Sequence, residues 1–201
     1  MTETAAIILA AGLSRRMGRK NKLLLPIQGV PMIRHVAQQY CEAVAGPIVI
    51  VTGHDSQQVQ AALEGVCVYC VVNPNYEQGQ QNSVAFGLKN CPIADLTLIG
   101  LGDQPLLNAQ NISELISAHQ TIAEDKISIP MRGDVRGNPI AVPRALRPRL
   151  TADPSRPGCM RFTRENPDFV HRHPLRSSGF YSDMDTPEAY ERFRKEDVQP
   201  S

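Results

Sequence analysis

The chain has 201 residues, of which 42% are hydrophobic and 20% are charged, and its formal net charge is +1. This composition is ordinary for a soluble globular protein, and the length suits one domain with a substantial core. Because neither sign of charge dominates, the composition indicates no nucleic-acid or membrane partner. The first residues form no signal peptide and no membrane span, so we expect a cytoplasmic protein.

The first element is an uninterrupted apolar run over residues 5–11, which predicts a strand buried on both faces of a parallel sheet. Gly12 ends this run, and Gly12 and Gly18 let the backbone turn sharply and approach a ligand closely. Five cations lie in the segment that follows: Arg15, Arg16, Arg19, Lys20 and Lys22. A small-residue turn followed by cations is typical of a triphosphate site, although this one matches neither a P-loop nor Gly-x-Gly-x-x-Gly. The alternative is a solvated basic loop.

The later elements alternate between strands and helices. We predict helices over residues 30–45, 57–63, 80–90 and 108–123, and strands over residues 47–52, 66–72, 96–101, 126–131, 140–142 and 169–173. Asp55 or Ser56 can cap the second helix, and Thr186 can cap a last one that has Pro187 in its first turn. The alternation predicts an α/β fold with a doubly wound, mostly parallel, Rossmann-like sheet. Ligands bind such sheets at the carboxyl ends of the strands, where residues 12–22, 73–83 and 102–105 fall.

The cysteines predict no structural cross-links. They are Cys41, Cys67, Cys70, Cys91 and Cys159. An odd count in a chain expected in the cytoplasm argues against a disulfide framework. Cys67 and Cys70 have C-x-x-C spacing, but no second pair completes a zinc site, and on a strand their side chains would point to opposite faces. We therefore expect buried, inert thiols.

Acidic residues in two segments of the chain are candidates for chemistry. Asp103 follows a buried strand within Gly-Asp-Gln-Pro, and Asp183 and Asp185 precede the last helix. Carboxylate oxygens are the ligands that Mg²⁺ takes from proteins. The alternatives are a turn-starting role for Asp103 and helix capping for the other two, and Asp183 can be explained by capping alone.

Several of these segments resemble the MobA-like nucleotidyltransferases. They are Leu-Ala-Ala-Gly-Leu-Ser-Arg-Arg-Met-Gly at 9–18, Lys-Leu-Leu-Leu-Pro at 22–26, Gly-Asp-Gln-Pro at 102–105, Arg-Gly-Asn-Pro at 136–139 and Asp-Met-Asp-Thr-Pro-Glu at 183–188. The branch that the sequence resembles most is the molybdenum cofactor (molybdopterin) cytidylyltransferases. The resemblance implies an enzyme that transfers CMP from CTP to the phosphate of molybdopterin with Mg²⁺ and releases pyrophosphate. It also implies a nucleotide-binding core over residues 1–131 and an acceptor-binding part over 132–201, which ends in a closing helix.

The resemblance implies a role for individual residues. Asp103 and Asp185 would share the metal ion. Lys22, with Arg16, would act on the triphosphate, and Lys20 is a rival for the role of Lys22. The nucleotide would lie against Leu9, Ala10, Ala11, Gly12, Asn73, Gly79 and Ser83. Arg136 and Asn138 would face the acceptor, but residues 153–161 depart from the Gly-Asp-x-Gly-Ala-Arg of relatives, which leaves the acceptor contacts open.

Other functions of the same fold remain open at this stage. One is a guanylyltransferase, and another is a transferase acting on a sugar or alditol phosphate. Ala11 favours CTP, because the guanylyl branch resembles Leu-Ala-Gly-Gly where this chain has Leu-Ala-Ala-Gly. A third is a non-catalytic carrier that hands the finished cofactor to a molybdoenzyme. The capping of helix 80–90 by Asn82 or Ser83, with no ligand, is the alternative to base recognition there.

Overall fold

A computed structural model describes residues 2–14, 21–122, 124–152 and 158–197. Its central strand is β1 (Thr4–Ala10), which is buried along its whole length. Since side chains alternate along a strand, Ile8 packs into the core on one face of the sheet and Ile7 into the core on the other. The apolar run is therefore a strand buried on both faces, as predicted.

The described strands and helices follow in chain order. After β1 the strands are β2 (Pro26–Ile27), β3 (Val30–Pro31), β4 (Ile48–Thr52), β5 (Tyr69–Val72), β6 (Leu96–Leu101), β7 (Ile127–Arg132), β8 (Val135–Arg136), β9 (Ile140–Pro143) and β10 (Val170–His173). The α-helices are α1 (Met32–Ala43), α2 (Ser56–Ala62), α3 (Gln80–Asn90), α4 (Ala109–Ile122), α5 (Cys159–Glu165) and α6 (Pro187–Asp197).

The main sheet has the strand order β10-β7-β9-β6-β1-β4-β5, and β8 pairs with β7. Strands β6, β1, β4 and β5 are parallel, and so are β7 and β10. Strand β9 is antiparallel to both β6 and β7. Because β9 reverses direction between them, β6 and β7 run the same way. The sheet is thus doubly wound and mostly parallel, as predicted, and the loops that leave β1 and β6 meet at the middle of its carboxyl edge.

Helices cover both faces of the sheet. One apolar core includes side chains of α1, α2, α4 and α6, among them Val36, Val59, Leu115 and Phe193. The other core includes side chains of α3 and α5. Among the described residues, no helix is long and apolar enough to cross a bilayer.

Two predicted boundaries are wrong for local reasons. The strand predicted from residue 66 begins only at Tyr69. The residues before it form hydrogen-bonded turns, in one of which Val66 N donates to Leu63 O at 2.9 Å. Cys67 is consequently exposed, and only Cys91 and Cys159 are the buried thiols that we expected. The helix predicted from residue 30 begins at Met32, because Val30–Pro31 pairs with Pro26–Ile27 in a small ribbon.

The second half adds the edge strand of the sheet and the last helix. Strand β10 forms the edge of the sheet, and a short 3-10 helix lies at Arg147–Leu150, after β9. Thr186 caps the last helix, since its Oγ1 accepts a hydrogen bond from Ala189 N at 3.2 Å.

Candidate functional site

A cavity of about 530 Å³ lies at the carboxyl edge of the sheet. Its walls come from the loops after β1, β5 and β6 and from the segment before α6. The lining residues are Leu9, Ala10, Ala11, Gly12, Leu13, Ser14, Lys22, Leu23, Tyr76, Glu77, Gly79, Gln80, Ser83, Leu101, Asp103, Asp183 and Asp185. The site therefore lies where the strand order predicts it.

Lys22 is the cation at the centre of this site. Its Nζ donates hydrogen bonds to Asp103 Oδ2 and, at 2.6 Å, to Asp185 Oδ1. The Lys22 and Asp103 side chains are only 14% and 13% exposed, whereas Asp185 is 41% exposed. Burial alone would lower the pKa of the Lys22 ammonium, but the charges and hydrogen bonds of the two carboxylates outweigh burial and the pKa is raised. Lys22 is thus held as a cation against two acids.

Asp183 is a third acid at the same point. One carboxylate oxygen from each of Asp103, Asp183 and Asp185 lies within 4.8 Å of the others. Burial, followed by the charges of Asp103 and Asp185, raises the pKa of the Asp183 carboxyl. Capping was enough to explain Asp183 from the sequence, yet the folded chain groups it with the other two. The Asp-x-Asp spacing is a signal for both acids, although the resemblance implied a metal role only for the second, Asp185.

The end of β6 holds the acidic segment in place through the backbone. Met184 N donates to Asp103 O at 2.9 Å, and Gln104 Nε2 donates to Phe180 O at 3.2 Å. Gly102 permits the close packing of this strand end, because a Cβ there would lie 2.8 Å from Ile33 Cδ1. The Gly-Asp-Gln-Pro turn therefore both carries one carboxylate and positions the other two.

The loop after β1 offers a close approach to a ligand. Ala11 is only 5% exposed and lines the cavity. Among the described residues, and apart from its two chain neighbours, no atom lies within 4 Å of a Cβ added to Gly12, so packing against them does not require glycine there. Leu9 and Ala10 complete this wall. The cations Arg15, Arg16, Arg19 and Lys20, together with Gly18, lie outside the described residues.

The start of α3 forms the opposite wall. Gly79 precedes the helix with φ 99°, where glycine is favoured, and no side chain caps the helix. Capping by Asn82 or Ser83, the ligand-free alternative, is therefore wrong. Gly79, Gln80 and Ser83 line the cavity, and the positive end of the helix dipole suits an anion or a polar base edge there.

Asn73, which was predicted to contact the nucleotide, lies behind this wall and does not line the cavity. It is fully buried, and its Nδ2 donates to Asn82 Oδ1 at 2.9 Å and to Ser83 Oγ at 3.1 Å. It therefore fixes the cavity-lining Ser83 from behind. Tyr76 and Glu77 also line the cavity and were not predicted as site residues, although both belong to the loop after β5 that falls at this edge.

Arg136 and Asn138 do not line the cavity. The Arg136 Nη1 donates to Thr163 Oγ1 at 2.8 Å, and Asn138 N donates to Phe180 O at 2.8 Å. Phe180 precedes Asp183 by three positions in the sequence. The predicted acceptor-binding turn thus adjoins the acidic segment, and its contact with an acceptor stays a prediction.

Comparison with known proteins identifies the family. Residues 6–170 match the MobA-like NTP transferase domain. The chain belongs to this family. Among relatives, this MobA-like chain is 28% identical over 188 residues to the nicotine blue oxidoreductase of Paenarthrobacter nicotinovorans, covering 90% of the chain and 92% of the relative. It is 35% identical over 118 residues to the bifunctional protein GlmU of Xanthomonas campestris, a match that covers 58% of the chain but only 26% of that protein.

Solved structures share the MobA-like fold across nearly the whole chain. A nucleotidyl transferase from Methanothermobacter thermautotroptrophicus superposes with a TM-score of 0.82 at 22% identity, over 96% of this chain and 97% of the other. A CMP:2-keto-3-deoxy-manno-octonic acid synthetase complexed with CTP has a TM-score of 0.76 at 14% identity, over 98% and 99%. The Rv0371C protein of Mycobacterium tuberculosis, complexed with manganese, has a TM-score of 0.71 at 19% identity, over 96% and 99%. The solved structures show the fold, and membership of the MobA-like NTP transferase family identifies the protein as a nucleotidyltransferase.

Proposed function

We propose that this protein transfers CMP from CTP to the phosphate of a molybdopterin-type acceptor and releases pyrophosphate. The observation that carries the proposal is the contact of the Lys22 ammonium with the Asp103 and Asp185 carboxylates, beside the loop after β1. Phosphoryl and nucleotidyl transfer depend mainly on positioning and on charge stabilisation of this kind. The acceptor is supported by the resemblance of residues 9–18 and 102–105 to the molybdopterin branch.

The reaction needs no covalent enzyme intermediate. A phosphate oxygen of the acceptor attacks the α-phosphorus of CTP and forms a new P–O bond. The bond from the α-phosphorus to the bridging oxygen breaks, and its electron pair leaves with pyrophosphate. Lys22 would stabilise the charge that develops on the non-bridging oxygens and on the leaving group.

The residues at the site fit a hard divalent cation. Asp103, Asp183 and Asp185 supply only oxygen ligands, which Mg²⁺ and Mn²⁺ prefer. The position also attracts positive charge in the folded chain, since Lys22 already contacts two of the three acids. When bound there, Mg²⁺ would add positive charge against the triphosphate. The manganese complex of a structural neighbour supports a metal in this fold.

CTP is the nucleotide that the cavity wall favours. The Ala11 methyl takes up space that glycine would leave open, and a pyrimidine needs less room than a purine. A structural neighbour was solved with CTP, which supports the same choice. Glu77 and Gln80 provide a carboxylate and an amide that can hydrogen-bond a base edge.

Other functions of the same fold are the alternatives. A guanylyltransferase or a sugar-phosphate transferase would use the same charged centre with a different nucleotide or acceptor. A carrier for a client molybdoenzyme would have no use for a lysine held against two carboxylates. The nearly full-length relative is called an oxidoreductase, which is a different reaction class.

The test is a nucleotide panel with the whole chain. Pyrophosphate release is followed with CTP, GTP, ATP and UTP in turn, each with Mg²⁺ and with or without molybdopterin. We expect release that requires the acceptor and is fastest with CTP. Release with GTP but not with CTP would show that GTP is the substrate. No release with any nucleotide would refute the transferase proposal. Lys22→Met is the inactive control, and Lys89→Met, an exposed lysine in the last turn of α3, is the matched active control.

A further inference from the structure

Asn21 fixes the turn that carries Lys22. It is 7% exposed and caps the short 3-10 helix Lys22–Leu24, with its Oδ1 accepting a hydrogen bond from Leu23 N at 3.1 Å. Ser14 Oγ accepts a further bond from Lys22 N at 3.3 Å. The backbone on both sides of Lys22 is thus tied to polar side chains, so the direction of the lysine depends on them.

The carboxylate of Asp55 holds the other end of the Asn21 amide. Asn21 Nδ2 donates to Asp55 Oδ2 at 3.3 Å, which joins the loop after β1 to the loop after β4. Asp55 immediately precedes α2, yet its side chain makes no capping bond to that helix. Its backbone is in the left-handed region, with φ 52°, which is unfavourable for most side chains. Its Oδ2 lies 3.3 Å from Asn21 Nδ2 and 3.3 Å from the neighbouring His54 Nε2, and of these two contacts only the one with Asn21 reaches the loop that carries Lys22.

We infer that Asp55 is a positioning residue for Lys22 and acts through Asn21. This inference rests on the proposed function. With the Asn21 amide fixed, the turn at Lys22–Leu24 keeps Nζ directed at Asp103 and Asp185. Small misplacements of a catalytic group are costly in transfer reactions, so the effect is expected in turnover. The pair itself is a single, partly buried hydrogen bond between two loops, so its net contribution to overall stability is modest.

The test exchanges the two partners. Asn21→Asp removes the donor and places two carboxylates together, whereas Asp55→Asn keeps an acceptor oxygen and a residue type that tolerates a positive φ. In the double variant, the aspartate introduced at position 21 still accepts from Leu23 N, and the asparagine introduced at position 55 can donate to it. We expect kcat to fall at least ~10-fold in Asn21→Asp with the KM for the acceptor unchanged. The double variant should return to within ~2-fold of the wild type, the scatter expected when no interaction is lost.

The variant Asp55→Gly distinguishes the effect of the carboxylate from the effect of backbone strain. Glycine adopts a positive φ without cost, so this variant removes only the side chain. We expect a loss of kcat as in Asn21→Asp, with a melting temperature close to that of the wild type. Wild-type turnover in Asp55→Gly, or a double variant no faster than Asn21→Asp, would overturn the inference.

A second measurement tests the positioning role independently of the proposed function. Hydrogen exchange at the Leu23 amide reports the cap directly and needs no substrate. It should be faster in Asp55→Gly and unchanged in Asp55→Asn. If the wild type transfers no nucleotide but the exchange follows this pattern, the proposed function fails and the positioning of the turn stands. If exchange in Asp55→Gly equals that of the wild type, the positioning role is refuted whatever the activity.

Discussion

Lys22 Nζ lies 2.6 Å from Asp185 Oδ1, although the two residues are 163 positions apart in the sequence. The bond joins the loop after the first strand to the segment that precedes the last helix. It brings a cation and an acid from opposite ends of the chain to one edge of the sheet. The predictions for Asp103 and Lys22 follow from this contact.

Asp103→Asn should abolish most of the turnover. The change keeps the shape of the side chain but removes one charge from the site, and we expect a loss of at least ~100-fold, the size found when a major electrostatic contact is removed. The melting temperature should stay close to that of the wild type, because the carboxylate borders a cavity rather than the core. Steady-state pyrophosphate release together with a thermal melt checks both parts. Near-normal turnover in this variant would contradict the assignment of Asp103.

Lys22→Met should strengthen metal binding in the absence of nucleotide. Lys22 neutralises two of the three carboxylates, so removing it leaves a more negative site for a divalent cation. We expect the Kd for Mn²⁺, measured by titration calorimetry without nucleotide, to fall at least ~10-fold, or ~1.4 kcal/mol. Lys89→Met is the control and should leave this Kd unchanged. Unchanged or weaker Mn²⁺ binding in Lys22→Met would show that the lysine and the metal do not share these acids.

The sequence was informative about this centre for a physical reason. Parallel strands bring their carboxyl ends to one edge, so the apolar runs that end at Gly12 and Gly102 place their loops together. The family resemblance then singled out Lys22, Asp103 and Asp185. Asp183 was not distinguished, because an acid just before a helix fits capping as well as metal binding.

Other features depend on contacts that no local pattern encodes. The segment at Ile140–Pro143 was predicted as a strand, but its antiparallel position between β6 and β7 is set by long-range pairing. Asp55 or Ser56 was expected to cap α2, but Asp55 occupies the cap position without a side-chain capping bond and its carboxylate accepts from Asn21 instead. Cap preferences identify the position but do not determine which donor the carboxylate finds.

The protein should lose stability in mild acid through a buried histidine pair. His119 Nδ1 and His173 Nε2 each lie 2.9 Å from Ser128 Oγ, and all three residues are buried. Burial, and then the charges of His171 and His119, lower the pKa of His173 from 6.5 to about 4. Burial also lowers the pKa of His119, against the opposing charges of Glu124 and Asp125.

The direction of the pH effect follows from these pKa values. Since the folded pKa of His173 is below the unfolded value of 6.5, its stabilising contribution is present above pH 6.5 and is lost as the pH falls towards about 4. The midpoint of urea unfolding should therefore fall more steeply over this range in the wild type than in His173→Gln, which keeps a polar group but does not titrate. Identical slopes in the two proteins would contradict the prediction.

Ala11→Gly should relax the choice of nucleotide. The alanine is only 5% exposed but lies in the cavity wall, so removal of its methyl gives a purine a little more room. Selection by shape alone is modest, and we expect the CTP preference in kcat/KM to shrink by ~10-fold or less without reversing. The measurement compares CTP with GTP in both proteins at saturating acceptor. A wild-type preference for GTP would rule out the cytidylyl assignment and leave the charged centre standing.

The most direct test of the account follows the α-phosphorus. The protein is incubated with Mg²⁺, molybdopterin and CTP labelled with ³²P at the α-position, and the products are separated and counted. The account predicts that the label moves to the pterin as a CMP adduct, that pyrophosphate is released unlabelled, and that Asp103→Asn transfers almost none. Label that remains in CTP, or that appears in free CMP at the same rate with and without the pterin, would contradict nucleotidyl transfer at this site.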